Sequence, residues 1–273
     1  VNERGGQSIG VFDSGIGGLS VLRALRAEMP HEDFIYIADS GHGPYGERDT
    51  AHVLARSRAI VHYLVSQNIK ALVMACNTAT AAAIHWLRAE HPGMELIGVE
   101  PALKPAVALS NTRRIGVFAT RSTLCSAKFQ ALLASHAAQA DFVMQPCDGL
   151  AHAIERSAQT GDTSETIALC ARYISAAGIF GTKNGQIDTL VLGCTHYPLA
   201  SEQLRALTGP SVRLIDNGEA VARQTRRRLS ACLTAANAPP GRVSLLTTGD
   251  PQLLQSATRR WLDLSTSVDL LFI

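Results

Sequence analysis

At 273 residues, with 46% apolar and 18% charged residues, the chain has the makeup of an ordinary globular protein and room for about two domains of roughly 100–200 residues. A formal net charge of +2 singles out neither nucleic acid nor an anionic membrane as a partner. The six cysteines, at 76, 125, 147, 170, 194 and 232, lie far apart with no C-x-x-C pair, which excludes a small disulfide framework or a zinc site and leaves reduced thiols and no metal as the expectation.

Residues 1–6 are polar and glycine-rich, unlike a signal peptide, and no run nears the roughly 18 apolar residues of a spanning helix, so a cytoplasmic setting is expected. Ile9-Gly10-Val11-Phe12 predicts a short strand. Asp13-Ser14-Gly15-Ile16-Gly17-Gly18 predicts a turn into a helix bearing Leu19, Leu22, Ala24 and Leu25, which Met29-Pro30 ends. Residues 34–38 form the next strand, which empties into a loop punctuated by glycine and proline, residues 39–46. A helix over about 49–67 leads to the apolar strand Ala71-Leu72-Val73-Met74-Ala75, tipped by Cys76. Asn77 and Thr78 open an alanine-rich helix to about Glu90, and residues 96–99 form another strand.

Ile115-Gly116-Val117-Phe118 repeats the opening tetrapeptide letter for letter, again before a polar turn (119–123) and a helix. A strand at 142–144 and helices at about 149–157 and 164–177 follow. Thr189-Leu190-Val191-Leu192-Gly193-Cys194 then closes on a second cysteine. The shared order argues for duplication. The expected fold is α/β, with two pseudo-symmetric lobes, each a mainly parallel sheet flanked by helices, and the active site in the crevice between them. From Ser211 come a strand (212–215), a helix (about 219–234), a Pro239-Pro240-Gly241 break, a strand (243–246) and a last helix near 251–262. Too short for a third lobe, this tail is assigned to the first, giving residues 1–100 plus 209–273 as one lobe and 101–208 as the other.

A buried structural thiol is the ordinary fate of a free cysteine, and Cys125, Cys147, Cys170 and Cys232 are read that way. Cys76 and Cys194 are different because each stands where a strand ends and a helix begins, where a thiol is most readily ionised. Two acid/base groups on opposite faces of one carbon suit removal of a proton from one side and its return from the other, which inverts a stereocentre. With each sulfur about 3–3.5 Å from the carbon, the pair is too far apart for a disulfide. Asp13-Ser14 and Asp39-Ser40 end strands on the same crevice, with helix N-capping and loop capping as the plainer readings. Pro44-Tyr45-Gly46 offers backbone donors on a stiff loop, or is a simple turn.

Gly15-x-Gly17-x-x-Ser20 is an imperfect dinucleotide fingerprint: its third glycine is Ser20, and Asp13 would press a negative charge toward a pyrophosphate. Of the four lysines, 70, 104, 128 and 183, none stands at the carboxyl end of a predicted strand to hold pyridoxal phosphate, so no cofactor is expected. Arg223, Arg226, Arg227 and Arg228 form a basic stripe read as a solvated face. A hydrolase or transferase using one cysteine and His196 is the competing enzyme class, and a non-catalytic amino-acid binder the competing module.

Asp13 to Leu19, Asp39 to Gly46, Ala75-Cys76-Asn77-Thr78-Ala79, Leu192-Gly193-Cys194-Thr195-His196-Tyr197-Pro198 and Asp216-Asn217-Gly218-Glu219 together closely resemble the glutamate racemases of the aspartate/glutamate racemase superfamily. The resemblance implies cofactor-free interconversion of L- and D-glutamate, supplying D-glutamate for peptidoglycan, with glutamate as partner and no nucleic acid or membrane. A homodimer is compatible with it, and racemisation of aspartate or another amino acid is the nearby variant. It implies Cys76 as the base for the D-enantiomer, assisted by Asp13, and Cys194 for the L-enantiomer, assisted by His196 and Glu155. It implies substrate contacts from Asp13, Ser14, Tyr45, Gly46, Asn77, Thr78, Thr123, Thr195 and His196. Asp148-Gly149-Leu150 departs from the family's usual proline-leucine stretch, and Ala119-Thr120 replaces a more usual glycine-threonine.

Overall fold

In the computed structural model, which describes residues 7–273, the first half runs β1 (Ile9–Asp13), α1 (Leu19–Glu28), β2 (Phe34–Ala38), α2 (Thr50–Ser66), β3 (Ala71–Met74), α3 (Asn77–Glu90) and β4 (Glu95–Gly98). The polar stretch 1–6 lies outside the described residues. β1 sits between β2 and β3, parallel to both, with Ile9 opposite Phe34 on one side and Ala71 on the other. All five β1 residues are buried because helices cover both faces of the sheet. Side chains alternate across it: Ile9 and Val11 enter one core and Phe12 the other.

The second half runs α4 (Leu103–Leu109), β5 (Arg114–Ala119), α5 (Arg121–Cys125), α6 (Ala127–Ala134), β6 (Asp141–Pro146), α7 (Leu150–Thr160), α8 (Ser164–Ala177), β7 (Thr189–Leu192), α9 (Ser201–Thr208) and β8 (Arg213–Ile215). Its sheet order, β6-β5-β7-β8, matches β2-β1-β3-β4 strand for strand. The register agrees too, since Ile9 faces Ala71 and Ile115 faces Thr189. The repeated tetrapeptide is therefore the central strand of each sheet. One expectation is corrected here. Residues 213–215, grouped above with the first lobe, pair with β7 in the second sheet, where β8 is the counterpart of β4.

From there α10 (Gly218–Arg228) returns to pack on α1, and β9 (Val243–Thr247), α11 (Pro251–Leu262) and β10 (Val268–Leu270) follow. β9 pairs with β2, and β10 with β9, so the first sheet grows to six strands. The helix expected to reach residue 234 stops at Arg228. Residues beyond it are drawn off the helix axis: Thr234 N–H donates to Glu32 over 2.7 Å, and Lys70 Nζ reaches both Glu32 and the Cys232 carbonyl. The basic stripe is exposed as expected, and three of its arginines pair with Glu219, Glu28 and Glu95. Exposed pairs of this kind contribute about 0–1 kcal/mol each. Among the described residues no helix is long and apolar enough to cross a membrane.

Candidate active site

Cys76 follows β3 and caps α3, its sulfur accepting the Ala79 N–H at 3.4 Å. Its thiol also lies 3.7 Å from Ser14 Oγ, at the end of the adjacent β1 turn. Neighbouring parallel strands thus deliver Asp13, Ser14 and Cys76 to one sheet edge. Cys194 follows β7 by the same topology, but a 3₁₀ turn (Tyr197–Ala200) replaces the long helix, and the partner of Cys194 is His196 Nδ1, 3.8 Å from its sulfur. Both sulfurs line a single cavity with about 470 Å³ of space between its walls, its open mouth included. Ser14, Tyr45, Gly46, Asn77, Thr78, Thr195 and His196 share that lining.

Three groups named from the sequence stand behind this wall. Asp13 is fully buried, accepting Gly15 N–H and Thr195 Oγ1–H at 2.9 Å each. Glu155, on α7, accepts from His196 Nε2 at 2.8 Å and from Ile16 N–H at 3.0 Å, so it reaches the cavity through the imidazole. Thr123 sits under the rim, where its hydroxyl and those of Thr78 and Thr120 form a cluster, and it is Thr78 and Thr120 that line the cavity. Cys147, read as an inert core thiol, also belongs to the wall; burial pushes it above the ordinary thiol range, and it points at the Gln145 carbonyl.

The glycines that mimic a nucleotide fingerprint have another use. A Cβ on Gly17 would meet His196 Nδ1 at 2.4 Å, and one on Gly15 would meet Glu155 Oε1 at 1.7 Å. Bare backbone there lets the second half's Glu155–His196 pair seat against the first half. Asp39 is not in the cavity wall. Its carboxylate takes a bidentate Arg56, the Tyr45 hydroxyl, His42 and Thr248, and so fixes the loop whose Pro44-Tyr45-Gly46 corner forms one side of the site. Those contacts hold the Asp39 carboxyl below the usual carboxylate range despite its burial.

The Asp/Glu/Hydantoin racemase family model matches residues 19–225. The chain belongs to this family. A glutamate racemase of Herpetosiphon aurantiacus is 44% identical over 246 residues, 90% of this chain and 94% of that one. A glutamate racemase isoform of Bacillus anthracis superposes with a TM-score of 0.85 at 30% identity, over 98% of both chains. The Escherichia coli glutamate racemase, solved with L-glutamate and an activator, gives 0.83 at 29% identity over 97% of this chain and 98% of that one.

In this family member several groups around the cavity titrate away from their ordinary ranges. Burial pushes Cys76 well above the ordinary thiol range, and the Asp13 and Cys194 charges push it further, against the Ala79 N–H and Ser14. Burial works against charge on His196, but the Cys194 sulfur and Glu155 outweigh it and hold the imidazolium well above the ordinary histidine range. Burial also pushes Asp13 up to about 6, with His196, Thr195 and Gly15 pulling the other way.

A raised carboxyl costs the native state nothing while both folded and unfolded forms are protonated, near pH 3. The cost grows as pH climbs from the unfolded value of 3.8 and is complete above about 6. At roughly 1.4 kcal/mol per tenfold, the charged Asp13 destabilises the fold by about 3 kcal/mol at pH 8. Asp13→Asn is therefore expected to raise the melting temperature at pH 8, to leave it near the parent's at pH 3.5, and to lose most of its activity. Thermal melts at both pH values check this.

Proposed function

We propose that this chain is a cofactor-independent glutamate racemase in which Cys76 and Cys194 act on Cα from opposite faces. The observation that carries this reading is one cavity lined by both strand-end thiols, each with its own polar partner, the Ala79 N–H for Cys76 and the His196 imidazole for Cys194. With L-glutamate, the Cys194 thiolate, formed beside the His196 imidazolium, takes the Cα proton. The buried, protonated Cys76 thiol then returns a proton on the other face, and Asp13 receives a proton from Cys76 when the reaction runs from D-glutamate. Charge developing on the α-carboxylate falls to fixed donors around it: Asn77, Thr78, Thr195 and the backbone at Gly46. The family relatives bear the name of this activity, and the Escherichia coli neighbour holds L-glutamate. Its product would feed peptidoglycan synthesis in the cytoplasm. On this reading residues up to about 100 rejoin the chain beyond β8 as one lobe, and the cavity lies between it and the other.

Incubation in heavy water tests the reading. Each enantiomer should gain one deuterium at Cα as it racemises, with optical rotation decaying to zero. Glutamate recovered with its Cα hydrogen and its rotation intact would overturn it.

A further inference from the structure

Asn77 is the first residue of α3, beside Cys76, and it lines the cavity while being almost fully buried. Its side-chain oxygen lies 3.3 Å from Asn217 Nδ2, and among the described residues its own Nδ2 is buried with no partner. An unmatched donor inside a protein is expensive, and one facing a binding cavity is explained when the ligand supplies the acceptor. A carboxamide, however, can turn over at little cost, so something has to decide which end faces the ligand.

Asn217 makes that decision. It is buried just before α10, and its Nδ2 lies 3.3 Å from the Glu100 carbonyl as well as from Asn77. A backbone carbonyl only accepts, so the Asn217 NH₂ must face Glu100, and its second hydrogen is then free for Asn77 Oδ1. That locks the Asn77 oxygen away and leaves its NH₂ as the end available to an anion. The opposite orientation would aim lone pairs at a substrate carboxylate. We infer that Asn217 is a positioning residue that fixes the Asn77 amide with its donors toward the substrate carboxylate. It sits where the chain crosses from β8 of one sheet to α10, which packs on the other. The inference rests on the racemase reading for the identity of the carboxylate, but not for the orientation of the amide.

A double-mutant cycle with Asn217→Leu and Asn77→Ala tests it. Asn217→Leu should raise KM for both enantiomers about tenfold or more, the loss expected when a hydrogen bond to a charged group goes, with kcat changed far less. On the Asn77→Ala background the same substitution should add under about twofold, because its route to the substrate is already gone. Equal effects on both backgrounds, or none on the unmodified protein, would overturn the assignment.

Should Asn217→Leu fail to fold, side-chain amide NMR of the unmodified protein decides the matter. On adding D-glutamate, the Asn77 NH₂ cross-peaks, identified by their loss in Asn77→Ala, should shift. An unmoved Asn77 pair would count against the proposal. Absence of racemisation while D-glutamate still shifts the Asn77 pair would sink the racemase reading alone.

Discussion

Cys76→Ser and Cys194→Ser should each lose at least about 10³-fold in racemisation of both enantiomers, near the upper part of the range for a positioned acid/base group. A serine hydroxyl is a far weaker acid than a thiol, so its alkoxide is too scarce to accept the Cα proton and the hydroxyl gives its own proton up too reluctantly to replace it. The change is also nearly isosteric. The lining of the cavity, where both sulfurs are buried, should survive, and glutamate should still bind. The more discriminating part of the prediction is the residual exchange in heavy water. Each variant retains one of the two proposed bases, which on the two-base reading reaches only its own face of Cα. Cys76→Ser should therefore exchange deuterium into L-glutamate with retained configuration and leave D-glutamate untouched, and Cys194→Ser should do the reverse. Racemisation within tenfold of the parent in either variant would point instead to chemistry at a single cysteine. So would a covalent adduct in the mass spectrum of the intact protein.

Much of this arrangement was legible in the residues, and the reasons differ from element to element. β1, β3, β5 and β7 are short, apolar and buried on both faces, so each shows as an uninterrupted hydrophobic run. Their repeat gave the two central strands and both thiols at once. β8 hides its allegiance because a three-residue strand has no pattern to say which sheet it joins. β10 has two exposed residues out of three, and α4 carries Pro105 in its first turn, where a proline is tolerated but reads as a break. At the site, Glu155 and His196 are 41 positions apart and meet only because α7 and the Cys194 loop fold over Gly15 and Gly17. No local spacing announces that contact; the family resemblance named both residues as helpers of Cys194, and the structure pairs them. The same limit hid Thr120, Cys147 and Asn217, whose parts depend on what lies across the crevice or behind it.

His196→Asn offers the second large effect. The imidazole links Cys194, 3.8 Å away, to Glu155, 2.8 Å away, and the two-base reading gives its positive charge the task of supporting proton removal by Cys194. Removing that charge should cost about 10²–10³-fold, comparable to losing one fixed electrostatic partner of a reacting group. The loss in kcat/KM must be the same in both directions, because the enantiomers have equal free energy in water and the equilibrium constant stays at one. The asymmetry that identifies a Cys194-side defect therefore has to appear elsewhere. With Cα-deuterated L-glutamate, Cys194 breaks the labelled bond in the slowed step, so the primary isotope effect should grow toward its full value. With Cα-deuterated D-glutamate, Cys76 breaks that bond before the slowed step, so the effect should shrink, while the solvent isotope effect rises as Cys194 delivers the second proton. A thermal melt controls for the loss of a buried ion pair. Equal isotope effects on the two enantiomers in a folded variant would mean that His196 serves both faces alike, and the division of labour between the two thiols would have to be abandoned.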